Sequence, residues 1–199
     1  MKRILTAAAA SLAALSLAIA APIVGKPAPQ FTATDANGKS RSLADYKGKT
    51  VVLEWTNDGC PYVKKHYGSG NMQKLQQEVT AAGGVWLSIV SSAPGKQGYV
   101  LGAAANQLTA SRAAHPTAVL LDPAGVIGHA YEAQTTPHMF VIDPAGVVRY
   151  MGAIDDQPTT DVSTISIARN YVREAFAAVS TGAKVAETAT DPYGCSVKY

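Results

Sequence analysis

Thr50-Val51-Val52-Leu53-Glu54-Trp55-Thr56-Asn57-Asp58-Gly59-Cys60-Pro61 (residues 50–61) decides how this chain is read. Its first half is β-branched and apolar without a break, the pattern of a strand buried on both faces. Thr56 to Gly59 is loop. Proline is favoured at the first helical position, so a helix is predicted from Pro61 with Cys60 as its cap. A cysteine at that place meets unpaired backbone N–H groups and the positive end of the helix. Both favour the thiolate, the form that attacks disulfides and peroxides. Lys64, Lys65 and His66 add positive potential within two turns, and Glu54 and Asp58 oppose it. The competing reading of Cys60 is a buried, inert thiol.

Downstream, Gly68-Ser69-Gly70 is expected to interrupt the helix, which resumes with Met72, Leu75, Gln76 and Val79 on one face and stops at Gly83-Gly84. Val85 to Val90 reads as a second central strand, Tyr99 to Ala114 as an Ala-rich helix and Thr117 to Leu121 as a strand. Thr136-Pro137 precedes a further strand, His138 to Asp143. Pro144-Ala145-Gly146 turns it into Val147 to Met151. Ser163 to Ser180 is predicted as the last amphipathic helix, with Ile165, Ala168, Val172, Ala175, Phe176 and Val179 inward. Upstream, Gln30 to Thr34 and Ser40 to Leu43 flank an Asn37-Gly38 turn. Alternating strands and helices followed by a hairpin and a helix predict an α/β fold: a central mixed β-sheet with helices on both faces.

The two ends read differently. Residues 1–20 have the layout of a secretory signal: Lys2 and Arg3, an uncharged Ala/Leu-rich stretch, then Ala18-Ile19-Ala20 as a small-x-small site. An uncleaved anchor is the competing reading, but the stretch is at the lower limit for a span and Pro22 follows at once. Cleavage after Ala20 is expected, with Ala21 as the neighbouring position, leaving an exported domain at 21–182, periplasmic or secreted, with no stable membrane span. Residues 183–199 form a polar C-terminal tail that carries Cys195 and is expected to be mobile. The chain has 199 residues, 47% hydrophobic and 16% charged, and a formal net charge of +3 that falls to about +1 without Lys2 and Arg3. The apolar fraction excludes disorder, and no basic patch points to nucleic acid.

Only two cysteines are present, Cys60 and Cys195. In an oxidising compartment an even count makes a disulfide plausible. The histidines show no metal-ligand spacing, and no organic cofactor or metal is implied. Cys60, Met139 and Cys195 offer soft ligands for Cu(I), without a supporting spacing.

Taken together, Trp55 with Cys60-Pro61, the interrupted helix and Thr136-Pro137 before Phe140-Val141-Ile142-Asp143 resemble the thioredoxin-like superfamily. Val24-Gly25-Lys26-Pro27-Ala28-Pro29 with Phe31, and Leu43 to Leu53, resemble its redoxin branch: the alkyl hydroperoxide reductase/thiol-specific antioxidant and TlpA-like group. Asn57 to Tyr67 and Pro192 to Tyr199 look like an exported, peroxiredoxin-like subgroup. The resemblance covers about residues 24–181. It implies that Cys60 is the nucleophile, that Pro137 is the cis-proline facing it, and that Thr136 offers backbone groups to substrate. Two departures stand beside it. Val63 occupies the second cysteine position of Cys-x-x-Cys, so Cys195 is the remaining candidate for a resolving thiol; the competing reading is a purely structural or unpaired thiol. The peroxiredoxin pattern Pro-x-x-x-Thr-x-x-Cys is replaced by Leu53 and Asn57, with His138 and Met139 where an arginine is usual. The expected activity is a thiol-dependent oxidoreductase that reduces a peroxide, or a protein or small-molecule disulfide, with electrons from an external thiol. Asn57, Thr136 and Pro137 are the expected substrate-binding residues. The alternative is a redox-inert or copper-handling binding module on the same fold.

Overall fold

A computed structural model describes residues 21–199; the expected signal segment lies outside the described residues. Strands β1 (Thr32–Asp35) and β2 (Ser40–Ser42) form the first hairpin, and β3 (Val51–Trp55) is the predicted central strand. Helices α1 (Pro61–Gly68) and α2 (Asn71–Ala81) follow, then β4 (Val85–Val90), α3 (Gly102–Ser111), β5 (Ala118–Leu121) and α4 (Val126–Ala130). The rest comprises β6 (Thr135–Thr136), β7 (His138–Ile142), β8 (Val148–Gly152), α5 (Tyr171–Ser180) and β9 (Cys195–Ser196).

Seven strands form one mixed sheet in the order β2-β1-β5-β4-β3-β7-β8. The β3–β4 and β4–β5 pairs are parallel, and β7 returns antiparallel to β3. Alternation along β3 divides the core. Val51, Leu53 and Trp55 join Phe140, Tyr131 and Ile127 on one side. Val52 joins Cys60, Val63, Leu75, Trp86, Met139, Val172 and Phe176 on the other, under α1, α2 and α5. Trp55 and Trp86 are both fully buried, as their place on neighbouring central strands predicts.

Two expectations are corrected. The last helix does not start at Ser163. Val162–Ser166 is a 3-10 turn with no buried residue, and α5 begins after Asn170, whose side chain accepts from the Arg173 N–H at 2.9 Å. An asparagine cap outcompetes the weak helical pattern before it. The second correction concerns the tail, which is docked rather than loose. The Thr190 N–H donates to the Met151 carbonyl and the Thr190 hydroxyl accepts from the Ala153 N–H. The Val197 N–H donates to the Gln134 carbonyl, and Tyr199 donates its hydroxyl proton to the Ala133 carbonyl at 2.8 Å. The Tyr199 ring also stacks on His129 at 4.0 Å. Polar composition concealed this because most of the tail's bonds run from its own backbone and hydroxyls.

Candidate active site

Cys60 caps α1 from an extended conformation (φ −79°, ψ 123°), with Pro61 as the first helical residue. Its carbonyl accepts the first helical bond, from the Lys64 N–H at 2.9 Å. The loop before it is shaped by Asn57, which is 1% exposed. The Asn57 side chain accepts from the Gly59 N–H at 2.8 Å and donates to the Gln97 carbonyl at 3.1 Å, while its own carbonyl accepts from the Cys60 N–H. Both polar ends of the amide thus bond to backbone around the loop. In this arrangement Asn57 holds the loop that carries Cys60.

Across the sheet, Thr136-Pro137 has a cis peptide bond. The Cys60 thiol donates to the Thr136 carbonyl at 3.1 Å. The tail supplies the third side of the site. Strand β9 pairs antiparallel with β6, so that Thr136 lies opposite Cys195 and Thr135 opposite Ser196. Gly194 makes this approach feasible: a Cβ there would run into the Thr136 carbonyl oxygen, and its φ of +140° disfavours any side chain. Cys60 and Cys195 are both free thiols, and both lie at Thr136: Cys60 donates to its carbonyl, Cys195 stands opposite it in the β6–β9 pair, and Cys195 packs against the cluster that holds Cys60. Under this roof Cys60 has no exposed surface, whereas Cys195 is half-buried.

The environment separates the two thiols. Burial pushes Cys60 up, but donors from Cys195, the Val63 N–H and Thr136 outweigh it, and its pKa lies below the usual thiol value. Cys195 is pushed up to about 11 by burial and by the same contact seen from the other side. Cys60 is thus the thiol that ionises first and Cys195 the one that keeps its proton.

The expected cluster of positive charge behind Cys60 is weaker than its sequence suggests. His66 is fully buried, and burial with Lys65 nearby pushes its pKa down to about 3, so it is neutral. Lys65 is also buried and lowered, with its ammonium donating to the Gln157 carbonyl at 2.9 Å. Asp58 is paired with Arg112. The Arg112 guanidinium lies 4.5 Å from the centre of the Tyr67 ring. Hydrogen bonds, rather than a neighbouring cation, are the leading cause of the lowered Cys60 pKa.

Glu54, in the sequence an opposing charge, has a larger part in the structure. It is fully buried, and its carboxyl group accepts from the Trp86 indole and the Ser88 hydroxyl, each at 2.8 Å, from the Tyr67 hydroxyl at 2.9 Å and from Gln76 at 3.4 Å. These four donors come from β4, α1 and α2, so one side chain ties the Cys60 helix to the sheet. The signal was visible as a lone acidic residue within an otherwise apolar strand.

His138, next to Pro137, is also buried and pushed down to about 4 by burial. Native His66 and His138 therefore resist protonation that the unfolded chain accepts near pH 6.5. The unfolded state binds more protons below that pH, so stability falls on acidification until the native values near 3 and 4 are reached. Asp155, raised by burial, works the other way in acid and offsets part of the loss. Urea unfolding should show stability lower by about 2–4 kcal/mol at pH 5 than at pH 7. An unchanged midpoint over that range would mean that these rings are not buried neutral.

Comparisons with known proteins agree with this fold. A model of the AhpC/TSA family matches residues 24–151. An uncharacterized conserved protein from Geobacillus kaustophilus superposes with a TM-score of 0.74 at 24% identity, covering 89% of this chain and 92% of the other. A hypothetical protein from Sinorhizobium meliloti gives 0.76 at 22% identity, with 90% and 96% covered. The thioredoxin domain of a thiol-disulfide oxidoreductase from Bacteroides vulgatus gives 0.52 at 20% identity, with 73% and 96% covered. These likenesses establish the thioredoxin-like fold expected from the sequence.

Proposed function

The chain belongs to the AhpC/TSA family, and from that membership and the paired thiols we propose that it is a thiol-disulfide oxidoreductase, with Cys60 as nucleophile and Cys195 as its resolving partner. The observation that carries the reading is that both thiols are gathered at Thr136, Cys60 donating to its carbonyl at 3.1 Å and Cys195 lying opposite it across the β6–β9 pair, with the lowered pKa on Cys60. The Cys60 thiolate attacks one sulfur of an external disulfide, forms a mixed disulfide and releases the first thiolate. Cys195 gives up its proton and attacks the Cys60 sulfur. The second substrate thiolate leaves, and two electrons have passed to the substrate. An external dithiol, or two thiols, returns two electrons and two protons to the Cys60–Cys195 disulfide. Thr136 and Pro137 border the attacking sulfur and are the proposed substrate contacts.

Peroxide is the second reading, favoured by the family and by a buried Cys60 that a small oxidant reaches more readily than a protein does. Here the thiolate breaks the O–O bond, an alcohol or water leaves, and the Cys60 sulfenic acid condenses with Cys195 to release water. Disulfide exchange is preferred because Asn57 is spent on the loop and Arg112 is held by Asp58 and Tyr67, away from a peroxide-orienting role. Export to an oxidising compartment is part of the proposal and rests on residues 1–20 as a cleaved signal. Among the described residues, no helix is long and apolar enough to cross a membrane.

Non-reducing peptide mapping after one equivalent of oxidised glutathione tests the pairing. A Cys60–Cys195 peptide is the expected product. Accumulation of a stable glutathione adduct on Cys60, with Cys195 free, would replace the two-thiol cycle with a one-cysteine mechanism.

A further inference from the structure

Two residues before Cys195, the tail is fastened at a buried polar cluster that the exchange chemistry does not use. The Tyr193 hydroxyl donates to one carboxyl oxygen of Asp155. Asp155 is 1% exposed, and its Oδ2 has no hydrogen-bond partner. His66 backs the pair. Its Nδ1 accepts from the Asn71 amide at 2.9 Å, which leaves the ring proton on Nε2. That nitrogen lies 3.4 Å from the Tyr193 hydroxyl and 4.0 Å from Asp155 Oδ2. The Tyr193 ring meets Tyr62 edge-on, with centroids 5.7 Å apart.

The placement of these partners gives the cluster its meaning. Tyr62 and His66 lie on α1, the helix that Cys60 caps. Asp155 lies just beyond β8, the strand along which the tail runs. Tyr193 therefore joins the tail to the same helix that carries the attacking thiol. Only Gly194 separates it from Cys195, and Gly194 is pressed against Thr136. With so short a connection, the position of the Tyr193 hydroxyl determines where the Cys195 sulfur can be. A buried carboxyl group with an unpaired oxygen is costly to fold; its other oxygen accepts from the Gln157 N–H at 3.0 Å, and the tail hydroxyl is its side-chain donor.

We propose that Tyr193, latched by Asp155 and backed by His66, is a positioning residue that holds Cys195 against Cys60. The proposal rests on the reading of these two thiols as the reacting pair. Latching raises the effective concentration of Cys195 at the Cys60 sulfur, so releasing it weakens the intramolecular disulfide relative to two external thiols. Tail docking is a separate quantity, which exists whether or not the pair reacts.

The test uses Tyr193→Phe, which keeps the ring on Tyr62 and removes the hydroxyl. Tyr131→Phe is the control, because it also removes a buried tyrosine hydroxyl, one that donates to the Pro29 carbonyl and makes no bond to the tail. In a Cys60→Ser chain, iodoacetamide should alkylate Cys195 about 10- to 100-fold faster when Tyr193→Phe is added, the effect of losing one hydrogen bond to a charged group. In the chain with both cysteines, the Cys60–Cys195 disulfide should need a correspondingly higher ratio of oxidised to reduced glutathione to form. Tyr131→Phe should change neither quantity. Should Tyr193→Phe fail to fold, Asp155→Asn is measured in the same two ways. The latch is overturned if alkylation and the glutathione equilibrium are both unchanged, or if Tyr131→Phe moves them equally. If the parent chain forms no Cys60–Cys195 disulfide at any glutathione ratio, the two-thiol function fails. The alkylation rates then decide tail docking by themselves.

Discussion

Cys60→Ser should reduce disulfide turnover by about 1000-fold or more, because a serine hydroxyl stays protonated where the cysteine supplies a thiolate. The variant should fold, since the exchange is nearly isosteric and a hydroxyl can also donate to the Thr136 carbonyl. Cys195→Ala should behave differently. The first attack still occurs, and the protein stops after one event as a mixed disulfide on Cys60. Cys195 is also among the donors that draw the Cys60 pKa down, and it heads those that do so. Its loss should move the rise of Cys60 alkylation to higher pH. Mass spectrometry of the trapped adduct and alkylation rates between pH 5 and 10 check both statements. Full turnover by Cys60→Ser would refute the nucleophile. An unshifted alkylation profile in Cys195→Ala would mean that the two thiols do not share a proton. The two steps of the parent profile belong to the pair rather than to either cysteine alone.

Glu54→Ala should be the most destabilising single change among the residues discussed, by about 3–5 kcal/mol. It removes the common acceptor of Tyr67, Gln76, Trp86 and Ser88 within a fully buried site, leaving four donors facing a cavity. For a domain of this size that corresponds to a fall in Tm of roughly 10 °C. Glu54→Gln should cost less, because its carbonyl oxygen keeps some of the donors satisfied. Thermal and urea unfolding of both variants give the comparison, and a loss below about 1 kcal/mol in Glu54→Ala would show that the network contributes little. The effect should extend to Cys60, since Tyr67 is the residue of α1 that this network holds to the sheet.

The repeated segment Asp-Pro-Ala-Gly-Val shows where local sequence stops being decisive. At 122–126 and at 143–147 the same five residues turn the chain, with Gly125 and Gly146 each donating to the aspartate carbonyl. After the first, α4 begins at Val126; after the second, β8 begins at Val148. The two aspartates differ in their partners. The Asp122 side chain accepts from Ser91 of the chain beyond β4 and from the Gly128 N–H, one turn into the helix. The Asp143 side chain accepts from Ala145 and Val147 and holds Arg149 across the hairpin. Beyond the turn, the next residues and the neighbouring strands select the outcome.

Strand β3, the cap of α1 at Cys60 and the break at Gly68-Ser69-Gly70 were legible from residues 50–70, because apolar runs, a proline at the first helical position and clustered glycines act over a few residues. The mixed sheet and the approach of Thr136-Pro137 to Cys60 were legible from the order of the elements, through resemblance to a known fold. Nothing local could reveal that Asn57 is spent on its own loop, or that His66 is neutral, since both depend on what surrounds them after folding. The tail is the clearest case. Its polar composition describes a chain that solvent could accommodate. Its position is set by partners distant in sequence: Met151, Asp155, Gln134 and Thr136. The sequence by itself determined that Cys60 begins a helix after a buried strand. Tertiary structure alone decided that Cys195 is brought to Thr136, the residue Cys60 bonds, because that requires a backbone pairing between residues 135–136 and 195–196 and a glycine small enough to let the two segments touch.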